Sequence, residues 1–161
     1  MIALVQRVSR AAVSIEEEEI SRIGRGMVVL LGVFADDVPK DARFLAQKAA
    51  NLRIFDDEAG AMNLSLKEID GEALSISQFT LCANARKGRR PSFAKAMEPI
   101  GAKRLYELFC DELADQAVRV ERGVFGENMS VEIFNDGPVT IILNSRESRR
   151  LNIKEDAPHK A

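Results

Sequence analysis

Histidine is almost missing from this sequence. Among 161 residues there is one, His159, third from the end in a polar segment. A Ser-His-Asp or Cys-His hydrolase would have to mount its general base on a chain terminus, where ordering is weakest, so both arrangements are disfavoured. Cysteine is scarce too. Cys82 and Cys110 are the two; they show no CxxC spacing and have no histidine partners for a tetrahedral zinc site. One disulfide between them is conceivable, but two thiols in a chain of this size suit reduced, partly buried residues of a cytoplasmic protein better. Long apolar runs are lacking: the longest, residues 27–31, is far too short to span a bilayer. The opening MIALVQRVSR alternates and carries Arg7 and Arg10, unlike a signal-peptide apolar stretch. The acidic segment 56–63 lacks the alternating ligands and the twelfth-position Glu of a calcium loop. Neither sign of charge prevails, since 23 Lys plus Arg face 25 Asp plus Glu for a formal charge of −2. That excludes a uniformly basic nucleic-acid binder and requires any polyanion to meet a local patch. A soluble cytoplasmic protein with no membrane span, no cofactor and no catalytic metal is expected.

What is present patterns as one mixed α/β domain. Apolar residues make up 46% and charged residues 30% of the chain, the balance of a globular protein, and the length suits one domain with a core of useful size. Residues 2–8 alternate like a half-buried strand. Further strands are expected at 13–15, 19–23, 27–34, 73–78, 117–121, 129–135 and 139–143, the last two joined by a turn. The acidic run 16–19 reads as an exposed turn. Pro39 supplies a helix start, and Ala42, Leu45, Ala46, Ala49 and Leu52 keep helical spacing to about residue 53. A second amphipathic helix is expected over 102–114, with Leu105, Leu108, Phe109 and Leu113 on one face. Residues 56–63 form a loop around Gly60. The fold class is therefore mixed α/β, with seven or eight mostly antiparallel strands and two main helices. Such a sheet must cover its apolar face or curl, so a barrel-like closure or a dimer is expected. Apolar periodicity ends near residue 145, which makes 1–145 the domain and 146–161 a charged, flexible tail.

Three stretches can carry chemistry. Ser77-Gln78-Phe79-Thr80-Leu81 sits where a buried strand meets a long basic excursion, a place where polar groups can be held rigidly beside an opening. Ser77 and Thr80 could equally just satisfy backbone groups as the chain leaves the sheet. Asp136-Gly137-Pro138 reads as a turn, and its X-Pro bond could be cis or trans. Arg86, Lys87, Arg89 and Arg90 place four cations within five residues, in a loop of a length that is usually functional. They are either a solvated surface or a phosphate-contacting patch.

At these residues the sequence resembles a known family. Gln6-Arg7-Val8, Met62-Asn63, Ser77-Gln78-Phe79-Thr80-Leu81, Arg90-Pro91-Ser92-Phe93 and Asn135-Asp136-Gly137-Pro138-Val139-Thr140 occur in the order and spacing of D-aminoacyl-tRNA deacylases of the DTD type. The resemblance covers residues 1–145. It implies a homodimeric editing hydrolase that cleaves the ester between a D-amino acid and the 3′-terminal adenosine of tRNA, and also clears glycine mischarged on tRNA for alanine. It further implies an active site at the dimer interface. One wall would be Ser77 to Thr80, and Gly137 and Pro138 would enter from the other subunit. Arg7 matches the arginine that helps hold that pair, and Met62, Asn63 and Asn135 fall in the other matching blocks as supporting positions. A sister group with relaxed chirality departs from the Ser-Gln-Phe-Thr-Leu pattern; this chain keeps it, which implies the D-specific group.

An aminoacyl-tRNA ester is already activated, so a missing histidine is intelligible. The expected mechanism is substrate-assisted: the ribose 2′-hydroxyl helps orient water, and backbone N–H groups near Phe79 and Thr80 stabilise the oxyanion. Thr80 could instead be a nucleophile, but no base for it is visible. Phe79 packs near the terminal nucleotide or serves only the core. Two other classes compete: a non-catalytic RNA-binding module using the basic loop and aromatic stacking, and a small dimeric interaction protein.

Overall fold

The computed structural model describes residues 1–86 and 88–147. Its elements, in chain order, are β1 (Ile2–Ile15), β2 (Glu18–Ile23), β3 (Gly26–Gly32), α1 (Pro39–Ala50), β4 (Phe55–Asp56), β5 (Met62–Leu64), β6 (Glu72–Ser77), a 3-10 turn (Phe79–Cys82), α2 (Pro99–Ala114), β7 (Arg119–Arg122) and β8 (Ser130–Asn144). The main sheet runs β2-β1-β3-β6-β7, with β8 added on β1. β1 is antiparallel to β2, β3 and β8. β3–β6 and β6–β7 are parallel. Each parallel pair needs a crossover: α1 and the β4–β5 hairpin fill the first, the basic excursion and α2 the second. The hydroxyl of Ser21 on β2 donates to the Arg122 carbonyl on β7 at 3.1 Å. It links the two ends of the strand path, and the sheet is a nearly closed barrel.

β3 is buried on both of its faces over most of its length, which explains why it reads as a continuous apolar run. Met27, Val29 and Leu31 join Ala3 and Val5 under the helices, together with Ala42, Leu45, Phe109 and Leu113. Val28 faces the other way, into a second cluster with Val8, Ala11, Val13, Ile23, Leu74 and Ile76. Small side chains at Ala42, Ala46, Ala49 and Ala50 form the buried stripe of α1.

The structure differs from the sequence reading in several places. The two expected N-terminal strands are one: the exposed pair Ser9-Arg10 interrupts the alternation at a register shift, where Val8 faces Asn135 and Arg10 faces Phe134, and the β1–β8 pairing resumes beyond it. The two C-terminal strands are likewise one. Residues 56–63 belong to a hairpin, with Gly60 at φ 78 in its turn. α1 stops at Ala50, and α2 starts at Pro99, where Glu98 caps it by accepting from the Ile100 and Gly101 amides. At the last residue of the expected domain, the Ser145 amide donates to the Met1 carbonyl at 3.0 Å. Arg146 lies 4.0 Å over the Phe34 ring and pairs with Asp36. Lys87 and residues 148–161 of the expected tail, His159 included, lie outside the described residues. No helix among the described residues is long and apolar enough to cross a membrane. Among them no group of three or more His, Cys, Asp or Glu is placed to hold a metal ion.

Candidate active site

Arg7 continues the inward parity of Ala3 and Val5 along β1, so a guanidinium points where an apolar side chain would be expected. It is 6% exposed. Its Nη1 donates to the Ile54 carbonyl at 2.8 Å and to Asp56 Oδ1 at 3.1 Å, and its Nε donates to the Asp136 carbonyl at 3.2 Å. The β1–β8 register explains what it holds. Gln6 pairs with Thr140 and Val8 with Asn135, so Arg7 alone stands opposite residues 136–139. These four residues bulge out of a continuous strand. Gly137 sits in the bulge at φ 115, and its bond to Pro138 is cis. Asn135 Nδ2 staples the base of the bulge, donating to the Arg7 carbonyl at 2.8 Å and the Val139 carbonyl at 3.0 Å. Gly137 and Pro138 are exposed.

The β4–β5 hairpin stands beside this assembly, since Asp56 is both an Arg7 partner and the ladder partner of Met62. Asn63 Nδ2 donates to Asp57 Oδ2 at 3.1 Å. The Asp57 carboxyl is held below the usual carboxylate range, first by the Ala61 amide and then by Asn63 and the Ala59 amide. Its stabilisation of the hairpin turn is therefore present above the ordinary Asp pKa and is lost as pH falls through the lowered value. Arg7→Ala removes the hydrogen bond to the Ile54 carbonyl and frees the bulge. Asp56 and Asp136 are about half exposed, which discounts their share. The expected loss is about 2–3 kcal/mol, only partly recovered by Arg7→Lys because an ammonium lacks the planar fork. Urea denaturation measures it.

The second assembly lies at the carboxyl ends of the parallel strands β3 and β6, where open α/β sheets place ligands. Ser77, Gln78 and Phe79 line a pocket of about 590 Å³. Thr80 is on the exposed turn beside it, its hydroxyl accepting from Gln78 Nε2. Across the pocket stand Met97, Tyr106, Phe125, Glu127, Asn128 and Met129. This wall was missed from sequence. Its only local signal is the turn around Gly126 (φ 86) flanked by Phe125 and Met129, apolar residues that a plain surface turn has no use for. Tyr106 donates to the Ser75 carbonyl at 2.9 Å, and burial pushes its hydroxyl well above the ordinary tyrosine value. The Cys82 thiol is pushed up to about 11, chiefly by burial and then by Asp37. Burial raises Cys110 as well. Both remain thiols at neutral pH, and neither can serve as a ready nucleophile.

Within one chain the structure gathers Arg7, Asn135, Gly137 and Pro138 beside Met62 and Asn63. It gathers Ser77, Gln78 and Phe79, with Thr80 next to them, at the pocket. The two groups do not share that cavity: Gly137 and Pro138 are not among its lining residues. Arg86, Arg89 and Arg90 are exposed on the excursion 84–92. The Asn84–Ser92 bridge closes its base, with backbone bonds of 2.8 and 3.0 Å. The chemistry available is hydroxyls, amides and backbone N–H groups around a mostly apolar pocket, with one carboxylate, Glu127, on the wall across from Ser77 to Phe79. Such a set suits orienting water on an ester that is already activated.

Comparison with known proteins finds relatives over most of the chain. A D-aminoacyl-tRNA deacylase of Anaeromyxobacter dehalogenans (strain 2CP-C) is 54% identical over 146 residues, covering 91% of this chain and 98% of that one. Among solved structures, one titled c-Myc DNA Unwinding Element Binding Protein is 42% identical with a TM-score of 0.85, covering 89% of this chain and 98% of its own. A second, titled as a probable eukaryotic D-amino acid tRNA deacylase, shares the fold at 18% identity and a TM-score of 0.76, covering 88% of this chain and 97% of its own. A family model described as D-Tyr-tRNA(Tyr) deacylase matches residues 4–144, which include both assemblies and the strands that carry them. By that match, the chain belongs to the D-Tyr-tRNA(Tyr) deacylase family.

Proposed function

We propose that the protein is a D-aminoacyl-tRNA deacylase, an editing hydrolase that returns free tRNA and amino acid to translation in the cytoplasm. The observation that carries this reading is the family match over residues 4–144, with Ser77 to Phe79 lining a pocket large enough for a terminal nucleoside. Water adds to the acyl carbon, the ester C–O bond breaks, and the ribose 3′-oxygen leaves with a proton. Leu81 donates to the Gln78 carbonyl in the first bond of the 3-10 turn. The N–H groups of Phe79 and Thr80 precede it and have no carbonyl one turn back, so they are free to receive the oxyanion. One such donor is worth about 3–4 kcal/mol in known hydrolases.

In this proposal the active unit is a homodimer. Gly137 and Pro138 of one subunit reach the Ser77–Thr80 pocket of the other, which accounts for their exposure and for their separation from the pocket in a single chain. An apolar row across three strands supports a partner on that face: Leu4 is opposite Leu30 on one side and Ile142 on the other, and Ile142 is 63% exposed. The Gly137 and Pro138 carbonyls contact the α-amino group of a D-residue and collide with the Cβ of an L-residue. Selection is by exclusion. Many D-side chains should then be accepted, and glycine, with no Cβ, should be cleared from tRNA for alanine.

The deciding assay incubates the protein with matched D- and L-aminoacyl-tRNA and follows ester loss. Selective loss of the D-ester supports the deacylase; binding without hydrolysis would make the chain an RNA-binding module. Arg86, Arg89 and Arg90, with Lys87, are the proposed phosphate contacts at the acceptor end. Neutralising the three arginines should weaken tRNA binding. It should also flatten the log–log salt slope by roughly 0.7–0.9 for each phosphate that the protein no longer neutralises. Chiral preference should be unchanged. An unaltered slope in a salt titration would make them ordinary surface charges.

A further inference from the structure

Phe79 lines the pocket, yet 59% of it is exposed. The 3-10 turn fixes its backbone, but a ring so open to water needs something to hold its χ angles. Phe93 meets it edge to face, the ring centroids 5.0 Å apart and the planes at 64°, a geometry in which aromatic pairs attract beyond their buried area. Phe93 is itself 38% exposed and is not a pocket residue, so core packing does not account for its position. Its backbone does. It follows the Asn84–Ser92 bridge that closes the basic excursion, and its carbonyl accepts from the Ala96 amide at 2.9 Å. The return to the sheet is then fixed by Ala35 donating to the Lys95 carbonyl at 3.0 Å and Met97 donating to the Val33 carbonyl at 2.9 Å. Ala96 and Met97 line the same pocket as Phe79.

We propose that Phe93 is a positioning residue for deacylation: it holds the Phe79 ring at the mouth of the pocket and joins that ring to the base of the arginine-bearing excursion. The inference rests on the deacylase reading above. Phe93 touches no reacting atom, and its effect passes through Phe79. Phe93 buries more of its surface than Phe79 does, so removing it should lower the melting temperature somewhat as well as loosen the pocket, and the rate is read on protein shown to be folded.

The test is a double-mutant cycle on D-tyrosyl-tRNA, read as the maximal single-turnover rate with enzyme in excess, where weaker tRNA binding no longer registers. Phe93→Ala should lower that rate about two- to tenfold, and Phe93→Tyr, which keeps the ring edge, should restore it. In a Phe79→Ala background, Phe93→Ala should have no further effect. An unchanged rate in Phe93→Ala, or effects that multiply in the double variant, would overturn the proposal. Failure of the unmodified protein to cleave D-tyrosyl-tRNA would instead overturn the deacylase reading itself.

Discussion

Gly137→Ala is expected to lower D-ester hydrolysis about a hundredfold while the chain stays folded. At φ 115 the backbone is in a region that side chains rarely enter. An added Cβ would stand 2.8 Å from Val139 Cγ2 and 3.1 Å from both Arg7 Nη2 and the Val139 nitrogen. The neighbours cannot simply give way, because Arg7 is buried and pinned by the Ile54 carbonyl, and Val139 leads back into the ladder at Thr140. The bulge itself must shift, carrying its carbonyls with it. A misplacement of about 1 Å in a positioning group can cost about 10²-fold in rate. The stability loss should be only about 1–3 kcal/mol, since the strain is confined to one exposed residue. Kinetics on D- and L-aminoacyl-tRNA, with circular dichroism as the folding control, separate the two effects. Discrimination should narrow along with the rate. A variant with unchanged kcat/KM and chirality would remove this glycine from the active site.

The second large effect concerns the substrate. A D-aminoacyl-tRNA ending in 2′-deoxyadenosine should be hydrolysed about 10²-fold or more slowly, the usual contribution of a positioned acid–base group. Thr80→Ala should keep its rate within about tenfold. The Thr80 hydroxyl is exposed and takes its hydrogen bond from the Gln78 amide, a group that cannot accept a proton at neutral pH. With the thiols held protonated and Glu127 on the opposite wall of the pocket, the proposed mechanism routes proton transfer through the ribose hydroxyl and water. Normal turnover of the deoxy substrate, or near-total loss in folded Thr80→Ala, would move catalysis onto the threonine side chain.

Local chemistry was legible in the sequence, and distant partnership was not. Ser77 was expected at a strand end and ends β6. Residues 80–99 were expected as a long basic surface excursion; its start is a 3-10 turn to Cys82, and the exposed basic part is closed off between Asn84 and Ser92. Periodicity tells which face a residue takes, not which strand lies beside it, so the parallel placement of β6 between β3 and β7 could not be read. Asn-Asp-Gly-Pro has the composition of a hairpin turn. It becomes a bulge because Asn135 and Thr140 both find partners on the same strand, more than 125 residues away. The Ile54 carbonyl and Asp56 give no sign in the sequence that they will hold Arg7, being 47 and 49 residues from it.

That same pairing makes the protein a poor candidate for folding while it is being synthesised. β1 emerges first, but one of its edges is completed over nearly its whole length by β8, from Ile2 opposite Asn144 to Ser14 opposite Ser130. Until the last strand is available, the middle of the future sheet is an open edge, the arrangement most prone to pairing with other chains. Contacts of such sequence separation form late and slowly. Nascent chains stalled before residue 130 should therefore stay protease-sensitive and chaperone-dependent, with protection arriving in one late step rather than strand by strand.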